Sequence, residues 1–368
     1  MQIVKPLIIL LITINVACNP GRTIYSSDSA ISKELVLRLS PGLDNPRNSE
    51  GSFITLKNGR IVFIYSKYTG TSSHDHASAY LASRYSDDEG KTWSKEDVKV
   101  VEKEGKMNVM SVSLLRLQNG DIALFYLRKN SEGDCIPLMR ISKDETKTWT
   151  LPVECVTDIK GYYVLNNDRV LQLKSGRIIM PLARHTTFDR PKFKESANLF
   201  AYYSDDNGVT WLSSKEVPGY DSVITQEPGL VPLSDGKLAM YIRTNNGYQY
   251  VSYSPDNGVN WTPIKPWTLK SPLSPASIKI IPNTKKIFAV WNNRFAYKEN
   301  YKPNRFPLTI GTSMDKGRTW YNVHDLETDP TRFCYTAIHY TKKHVLLAYC
   351  SGSLEITDIV RIPLKQIQ

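Results

Sequence analysis

One eight-residue phrase recurs five times in this chain, and it restricts the fold to short segments joined by one kind of turn. The copies are Ser86–Trp93 (SDDEGKTW), Ser142–Trp149 (SKDETKTW), Ser204–Trp211 (SDDNGVTW), Ser254–Trp261 (SPDNGVNW) and Ser313–Trp320 (SMDKGRTW). The shared frame is Ser-x-Asp-x-Gly-x-Thr-Trp, with Thr146 in place of Gly in the second copy and Asn260 in place of Thr in the fourth. Ser and Asp side chains bond nearby backbone N–H groups, and Gly permits a positive φ, so the phrase reads as a tight turn. The closing Trp folds back over it and buries a large apolar face. Five of the seven tryptophans are used this way. The phrase is therefore structural, a self-contained staple, and not a site.

A second feature precedes the turns. Leu56–Tyr65 (LKNGRIVFIY), Leu117–Tyr126 (LQNGDIALFY), Leu173–Met180 (LKSGRIIM) and Leu233–Tyr241 (LSDGKLAMY) each read as strand, Gly-containing turn, strand. This is the strongest short-range hairpin signal. A further strand, such as Tyr80–Tyr85 or Tyr250–Tyr253, leads into each turn phrase. The unit is a four-stranded meander with a period of roughly fifty to sixty residues, which is the repeat of a propeller blade. Five units carry the phrase. A sixth is built from Val345–Tyr349 and Ile356–Ile362, with Leu35–Leu39 returning from the N-terminal side to close the ring. The expected fold is all-β, a six-bladed β-propeller of four-stranded antiparallel blades, with one domain over residues 34–368.

Residues 1–18 read as an export leader: Lys5, an apolar run from Pro6 to Val16, then Ala17-Cys18. The run is too short to span a bilayer. It resembles a bacterial lipoprotein signal, in which Cys18 takes lipid, and residues 19–33 follow as a polar tether. The expected location is an outer membrane, facing the periplasm or the cell surface. The remaining cysteines, Cys135, Cys155, Cys334 and Cys350, match no metal spacing, and either disulfides or buried thiols are compatible with export. The net charge of +11 is spread along the chain without a Lys/Arg block, which speaks against nucleic acid as a partner.

A ring of such blades with these turns is similar to the sialidase (neuraminidase) superfamily, whose aspartic box has this form. The resemblance covers nearly all of the chain after the leader, and it implies site residues that can be sought in order. Arg47 matches the family's first arginine, without the Ile-Pro that usually follows it. Asp75, in Thr71–Ala77 (TSSHDHA), sits where the acid/base aspartate is expected. Lys67 is the nearest counterpart of a second basic residue there. Glu227, followed by the Gly236 turn, Arg243 and the fourth box, resembles the catalytic glutamate and second arginine. Arg305 fits the third arginine, with Arg294 as a rival. Tyr335 fits the nucleophile at the start of the last blade. The family's Glu after the following Tyr is replaced by Cys350, so the partner of Arg47 is open.

These residue types suit one chemistry. Three arginines around one point repel each other unless an anion lies between them, and a guanidinium matches a carboxylate bidentately. A sialic-acid glycoside carries a carboxylate on its anomeric carbon, which repels an anionic nucleophile. A neutral Tyr deprotonated by a Glu avoids that repulsion, and sialidases depart from the two-carboxylate scheme in this way. The resemblance thus implies an exo-acting, retaining hydrolase: Tyr335 as nucleophile, Glu227 as its base, Asp75 as acid/base, and Arg47, Arg243 and Arg305 on the carboxylate. No metal or organic cofactor is implied, and the chain is expected to act as a monomer on glycans ending in an acidic sugar. A hydrolase for another acidic sugar, a non-catalytic carbohydrate-binding propeller and a pure interaction propeller stand as alternatives. The His74-Asp75-His76 run is a poor metal site, because an extended loop does not turn all three side chains to one face. Asn167-Asp168-Arg169 and His185 are polar features outside this scheme. For the first, an Asp168–Arg169 ion pair on a loop is the expectation.

Overall fold

The computed structural model describes residues 22–25, 31–190, 192–297 and 305–368. The leader and Cys18 lie outside the described residues. What is described is an all-β propeller, with a single 3-10 turn at Leu364–Gln366 and no α-helix among the described residues.

Three sheets have four antiparallel strands. The first runs Asn48–Thr55, Ile61–Tyr68, Ala79–Ser86, Val98–Val101. The second runs Thr225–Pro232, Leu238–Thr244, Tyr248–Ser254, Lys265–Lys270. The third is Cys334–Tyr340, His344–Ser351 and Ile356–Pro363, completed by Glu34–Leu39 from the other end of the chain. That closing strand is where the sequence places it.

Two sheets depart from four strands. In the sheet of Ser277–Ile280, Ile287–Asn292, Leu308–Ser313 and Thr319–Glu327, Arg22–Tyr25 adds a parallel edge strand beside Thr319–Val323. Part of the stretch expected to be a free tether is thus hydrogen-bonded, because the edge of Thr319–Glu327 offers open backbone groups. In the other, two meanders merge into a nine-stranded sheet. One begins with Asn108–Arg116 and the other with Gly161–Val164, and the single parallel bridge Tyr162–Cys135 joins them.

The turn phrases form as their side chains dictate. In every copy the Ser hydroxyl donates to the Asp carboxylate at 2.7–2.9 Å and accepts the N–H four residues on at 2.7–2.9 Å. The Asp in turn accepts the N–H of the Thr or Asn at 2.8–2.9 Å. Two successive residues are left-handed, for example Asn207 at φ 58° and Gly208 at φ 90°. The second copy carries this on Thr146, at φ 69°. The phrase is less self-contained than the sequence implies. A Cβ on Gly208 would stand 2.3 Å from Met139, on Gly258 2.2 Å from Ile179, and on Gly317 2.2 Å from Trp267. Each of these side chains belongs to the preceding meander, so the turns are also joints between neighbours.

The first strand of each meander faces the axis. Asn48–Thr55 packs on Asn108–Arg116, Thr225–Pro232 on Ser277–Ile280, Ser277–Ile280 on Cys334–Tyr340, and Cys334–Tyr340 back on Asn48–Thr55. The tripeptide Asn167-Asp168-Arg169 ties these strands together. Asn167 Nδ2 donates to the carbonyls of Gly51 and Tyr335 at 2.8 and 3.1 Å. The Asp168 N–H donates to Val112 O at 2.9 Å. The Asp168 carboxylate accepts from Ser52 Oγ at 2.9 Å, Lys279 Nζ at 2.8 Å and the Ile338 N–H at 2.8 Å. Arg169 donates to Ser277 Oγ at 3.2 Å and Ala276 O at 2.5 Å, and lies over the Tyr241 ring at 5.5 Å. The expected Asp168–Arg169 pair does not form: Asp168 bonds Ser52, Lys279 and Ile338 on three sheets, and Arg169 bonds Ala276 and Ser277. Around this hub Phe63, Phe125, Tyr126, Tyr163, Tyr241 and Trp291 are fully buried between sheets.

Candidate active site

Four inner strands each carry one residue in a left-handed conformation at a break in register. Glu50 (φ 55°) lies in the break between Ser49 and Ser52, and Ser111 (φ 61°) in that between Met110 and Ser113. Glu227 (φ 37°) lies between Gln226 and Gly229, and Tyr335 (φ 56°) between Cys334 and Ala337. These are β-bulges, which re-aim a side chain out of the in-and-out alternation. Non-Gly residues at such angles are strained and cluster at functional sites. All four line one cleft of about 410 Å³, together with Asp75, Lys129, Asn166 and the apolar side chains of Met110, Leu127, Tyr162 and Val164.

On one side the Tyr335 hydroxyl donates to Glu227 Oε1 at 3.3 Å. Glu227 Oε2 pairs with Arg243 Nη1 at 2.7 Å. The Arg305 guanidinium lies 5.3 Å from the Tyr335 ring centre and donates to Cys334 Sγ at 2.9 Å. Burial and the Glu227 charge push the Tyr335 phenol well above its ordinary pKa, against the pull of Arg305 and Arg243. The phenol is therefore neutral at rest, with a carboxylate in place to accept its proton.

On the other side Arg47 is held between two acids. Its Nη2 donates to Glu50 Oε1 at 3.0 Å and to Ser49 Oγ at 3.0 Å, its Nη1 donates to Asp75 Oδ1, and the guanidinium lies over the Tyr68 ring at 4.7 Å. Glu50 supplies the partner that Cys350 cannot, while Cys350 Sγ meets Ser49 Oγ at 3.2 Å. Burial raises the Glu50 carboxyl above the usual range, and Arg47 only partly offsets it. Burial acts on Asp75 in the same direction, but Arg47 and then Lys129 bring its carboxyl below that range. The Asp75 side chain is 60% exposed, so water screens much of that pull. Its loop is fixed through the backbone: Lys129 Nζ and Asn108 Nδ2 both donate to Asp75 O at 2.9 Å.

All six expected residues thus meet at one end of the axis. Three others lie elsewhere. Lys67 pairs with Asp97, not with the cleft. Arg294 lies over the Phe306 ring at 4.9 Å and is exposed. His185 bonds Lys194 O at 2.7 Å and stacks on Phe193. Glu50, Lys129 and Asn166 were missed. Glu50 sits in a run that reads as ordinary strand, and nothing local in the sequence marks a bulge. Lys129 lies three residues beyond the hairpin read from the sequence and is only 2% exposed, a burial that only the assembled ring produces. Among the described residues no group of three His, Cys, Asp or Glu side chains is placed to hold a metal. Cys135, Cys155, Cys334 and Cys350 are buried free thiols, with Cys334 directly opposite Cys350 on the neighbouring strand.

Fold and cleft together define a sialidase-like β-propeller built on BNR repeats. The chain belongs to the BNR repeat-like domain family, whose pattern matches residues 63–347. It is similar to a sialidase of Bacteroides fragilis (strain YCH46), 24% identical over 233 residues, covering 61% of this chain and 41% of that protein. It is also similar to a sialidase of Clostridium perfringens, 25% identical over 239 residues, covering 58% of this chain and 60% of that protein. In both cases the match spans less than two thirds of the relative. Among solved structures it resembles the Hadza microbial sialidase Hz136, with a TM-score of 0.71 at 17% identity, over 88% of this chain and 67% of that one. At that identity the structural likeness speaks for the fold alone.

Proposed function

We propose that this protein is an exo-acting, retaining glycoside hydrolase that releases a terminal sialic acid, or a related keto-acid sugar, from glycans. The observation that carries this reading is the contact of Tyr335 with Glu227 in a cleft shared with Asp75 and backed by arginines. Tyr335 Oη attacks the anomeric carbon as its proton passes to Glu227. Asp75 protonates the leaving glycosidic oxygen as its bond to the anomeric carbon breaks, and an aryl ketal joining the sugar to Tyr335 forms. Asp75 then takes a proton from water, the water oxygen attacks the same carbon, and Glu227 returns its proton to Tyr335. A sugar seated over the Asp75 loop excludes water and raises that carboxyl toward the protonated form the first step needs. Arg243, paired with Glu227, and Arg305, beside the Tyr335 ring, support this reading as cations for the substrate carboxylate. Neither a metal nor an organic cofactor enters the scheme.

The test is hydrolysis of a fluorogenic sialic-acid glycoside at mildly acidic pH by the wild type, Tyr335→Phe, Glu227→Gln and Asp75→Asn. Tyr335→Phe is expected to lose at least about a hundredfold in kcat, as for loss of a covalent nucleophile. Turnover that survives Tyr335→Phe sinks the assignment. Turnover only of another acidic glycoside moves the substrate, not the mechanism. Binding without turnover of any substrate favours a lectin. We further read the nine-stranded sheet as two blades, which gives a six-bladed ring in one domain over residues 34–368. We also read the chain as an exported monomer, lipid-anchored through Cys18 in an outer membrane. Loss of labelling by a fatty-acid analogue in Cys18→Ala tests the anchor.

A further inference from the structure

The strand Arg22–Tyr25 fixes the face from which the preceding chain leaves the ring. It runs parallel to Thr319–Glu327, with Arg22 level with Thr319 and Tyr25 level with Val323. Thr319 lies at the close of the last turn phrase, and Ser313, which opens that phrase, pairs with Ile287. The other end of this sheet is the cleft end. There Asn292 pairs with Leu308, and its Nδ2 donates to Arg305 O at 2.7 Å and to Phe333 O at 3.0 Å, two residues before Tyr335. The chain before Arg22 therefore continues away from the cleft, toward the face of the turn phrases.

Lengths decide what that face can meet. Cys18 precedes Arg22 by four residues, which reach at most about 14 Å when fully extended. Thr319–Glu327 has nine residues and climbs about 25 Å from the turn phrase toward the cleft end. A lipid on Cys18 thus holds the turn phrases near a bilayer, and the cleft mouth cannot reach that bilayer while Arg22–Tyr25 stays paired.

The same face is basic where the last two sheets meet. Lys285 and Lys286 lie in the turn after Ser277–Ile280, Lys342 and Lys343 in the turn after Cys334–Tyr340, and Lys365 in the closing 3-10 turn. Hydrogen bonds gather these segments. Lys286 Nζ donates to Gln368 O at 2.9 Å, the Leu364 N–H to Lys343 O at 2.8 Å, and Thr312 Oγ1 to Ile367 O at 2.8 Å. Lys285, Lys342, Lys343 and Lys365 are exposed and form no ion pair with a described residue. Residues 281–286, 341–344 and 363–368 hold no Asp or Glu. Glu34 and Glu89 lie within electrostatic reach of the adjacent His344, and Asp315 is spent within its own turn. A lysine patch of this kind is drawn to anionic headgroups, and a lipid chain with a polybasic patch holds a protein more firmly than either alone.

We propose that this lysine face rests on an anionic lipid surface, with the cleft turned away from it. The proposal rests on the anchor reading above and deepens it. The cleft then opens toward glycans in solution or on a facing surface, and not toward the lipids that hold the protein.

Two measurements test it, both on the chain from Asn19 onward, which keeps every described residue and carries no lipid. The first is cosedimentation with vesicles of phosphatidylglycerol and phosphatidylcholine. Binding is expected at low salt, and is expected to be lost in about 0.5 M salt or on pure phosphatidylcholine. Lys285→Ala, Lys342→Ala and Lys343→Ala together are expected to weaken it about 100-fold, about fivefold for each lysine, at an unchanged urea midpoint. In the second, an environment-sensitive dye sits on Met314→Cys, 60% exposed in the last turn phrase, or on Ser72→Cys in the exposed Asp75 loop; the four native thiols are buried. A nitroxide quencher on the lipid headgroups is expected to quench the dye at position 314 and to spare it at position 72. A wild type that does not bind anionic vesicles, binding unmoved by the three substitutions, or equal or stronger quenching at position 72 overturns the proposal. Neither measurement uses the lipid or turnover, so a Cys18 that takes no fatty acid overturns the anchor reading alone.

Discussion

Replacing Asp168 with Ala tests whether the tripeptide hub holds the ring together. The carboxylate is 7% exposed and accepts three hydrogen bonds from three different strands. The substitution leaves two donors without an acceptor: the Ser52 hydroxyl proton, in a residue 0% exposed whose oxygen still accepts the Leu114 N–H, and the Ile338 N–H, in a residue 1% exposed. Each buried polar group left unpaired costs about 1–3 kcal/mol. Lys279 Nζ, on a side chain 29% exposed, regains water and adds less than about 1 kcal/mol. Ala at φ 60° adds about 1 kcal/mol more, since Asp tolerates that region better. The total is about 3–8 kcal/mol, a large part of the roughly 5–15 kcal/mol that a domain has. Asp168→Asn keeps the shape but turns an amide donor toward the Ile338 N–H or Lys279, and is expected to cost about 2–3 kcal/mol. Urea unfolding followed by circular dichroism gives both values, with the m-value confirming that the same transition is compared. If Asp168→Ala lies within about 1 kcal/mol of wild type at equal m, the hub does not hold the ring and the reasoning fails.

Other outcomes follow from the same structure. Thr146 holds the Gly position of its turn at φ 69°, so Thr146→Gly is expected to stabilise by about 1 kcal/mol, read as a rise in the urea midpoint; a loss would mean that the Thr side chain contributes more than its backbone strain costs. Burial, with Lys279 nearby, pushes the His339 imidazole down to about 4, while its ring meets Thr55 Oγ1 at 2.8 Å. The unfolded chain therefore binds the extra proton, and stability falls as pH drops from about 6.5 to about 4, by up to about 3 kcal/mol. His339→Gln should remove that component from the pH profile, and an unaltered profile would contradict it. Burial pushes the Cys135 and Cys350 thiols up to about 12, and Cys155 and Cys334 are likewise buried and raised. An aromatic disulfide reagent should find no rapidly reacting thiol among these four until the protein is unfolded.

The sequence made the repeating parts legible and the long-range parts hardly at all. The turn phrases and the Leu56–Tyr65 type hairpins announce themselves because their hydrogen bonds close within a few residues. Glu34–Leu39 could be assigned to the last sheet because one strand was missing there. Glu227, Arg243 and Tyr335 emerged from their order relative to the turns. Asp168 was misread because its partners Ser52, Lys279 and Ile338 are more than a hundred residues away, and the pairing with its neighbour Arg169 looked simpler. Glu50 was missed because a bulge is invisible in a run of strand-forming length, and with it the fact that Arg47 is already occupied. The merging of two meanders through Tyr162 and Cys135 has no local signature either.

The four bulges have a further consequence. Each places one side chain in the cleft by a one-residue interruption of an inner strand, while the strand beyond it resumes its normal packing. Glu50, Ser111, Glu227 and Tyr335 are therefore separable from the cores of the sheets that carry them. A lineage built this way can exchange Glu50 or Ser111 for another residue and alter what the cleft accepts, without repacking a blade. The constraint is narrow: the newcomer must accept a left-handed backbone, which favours Asn, Asp and Gly and disfavours β-branched residues. Variation in such proteins should concentrate at these points and be chemically restricted there, a pattern that directed mutagenesis of the four positions can exploit.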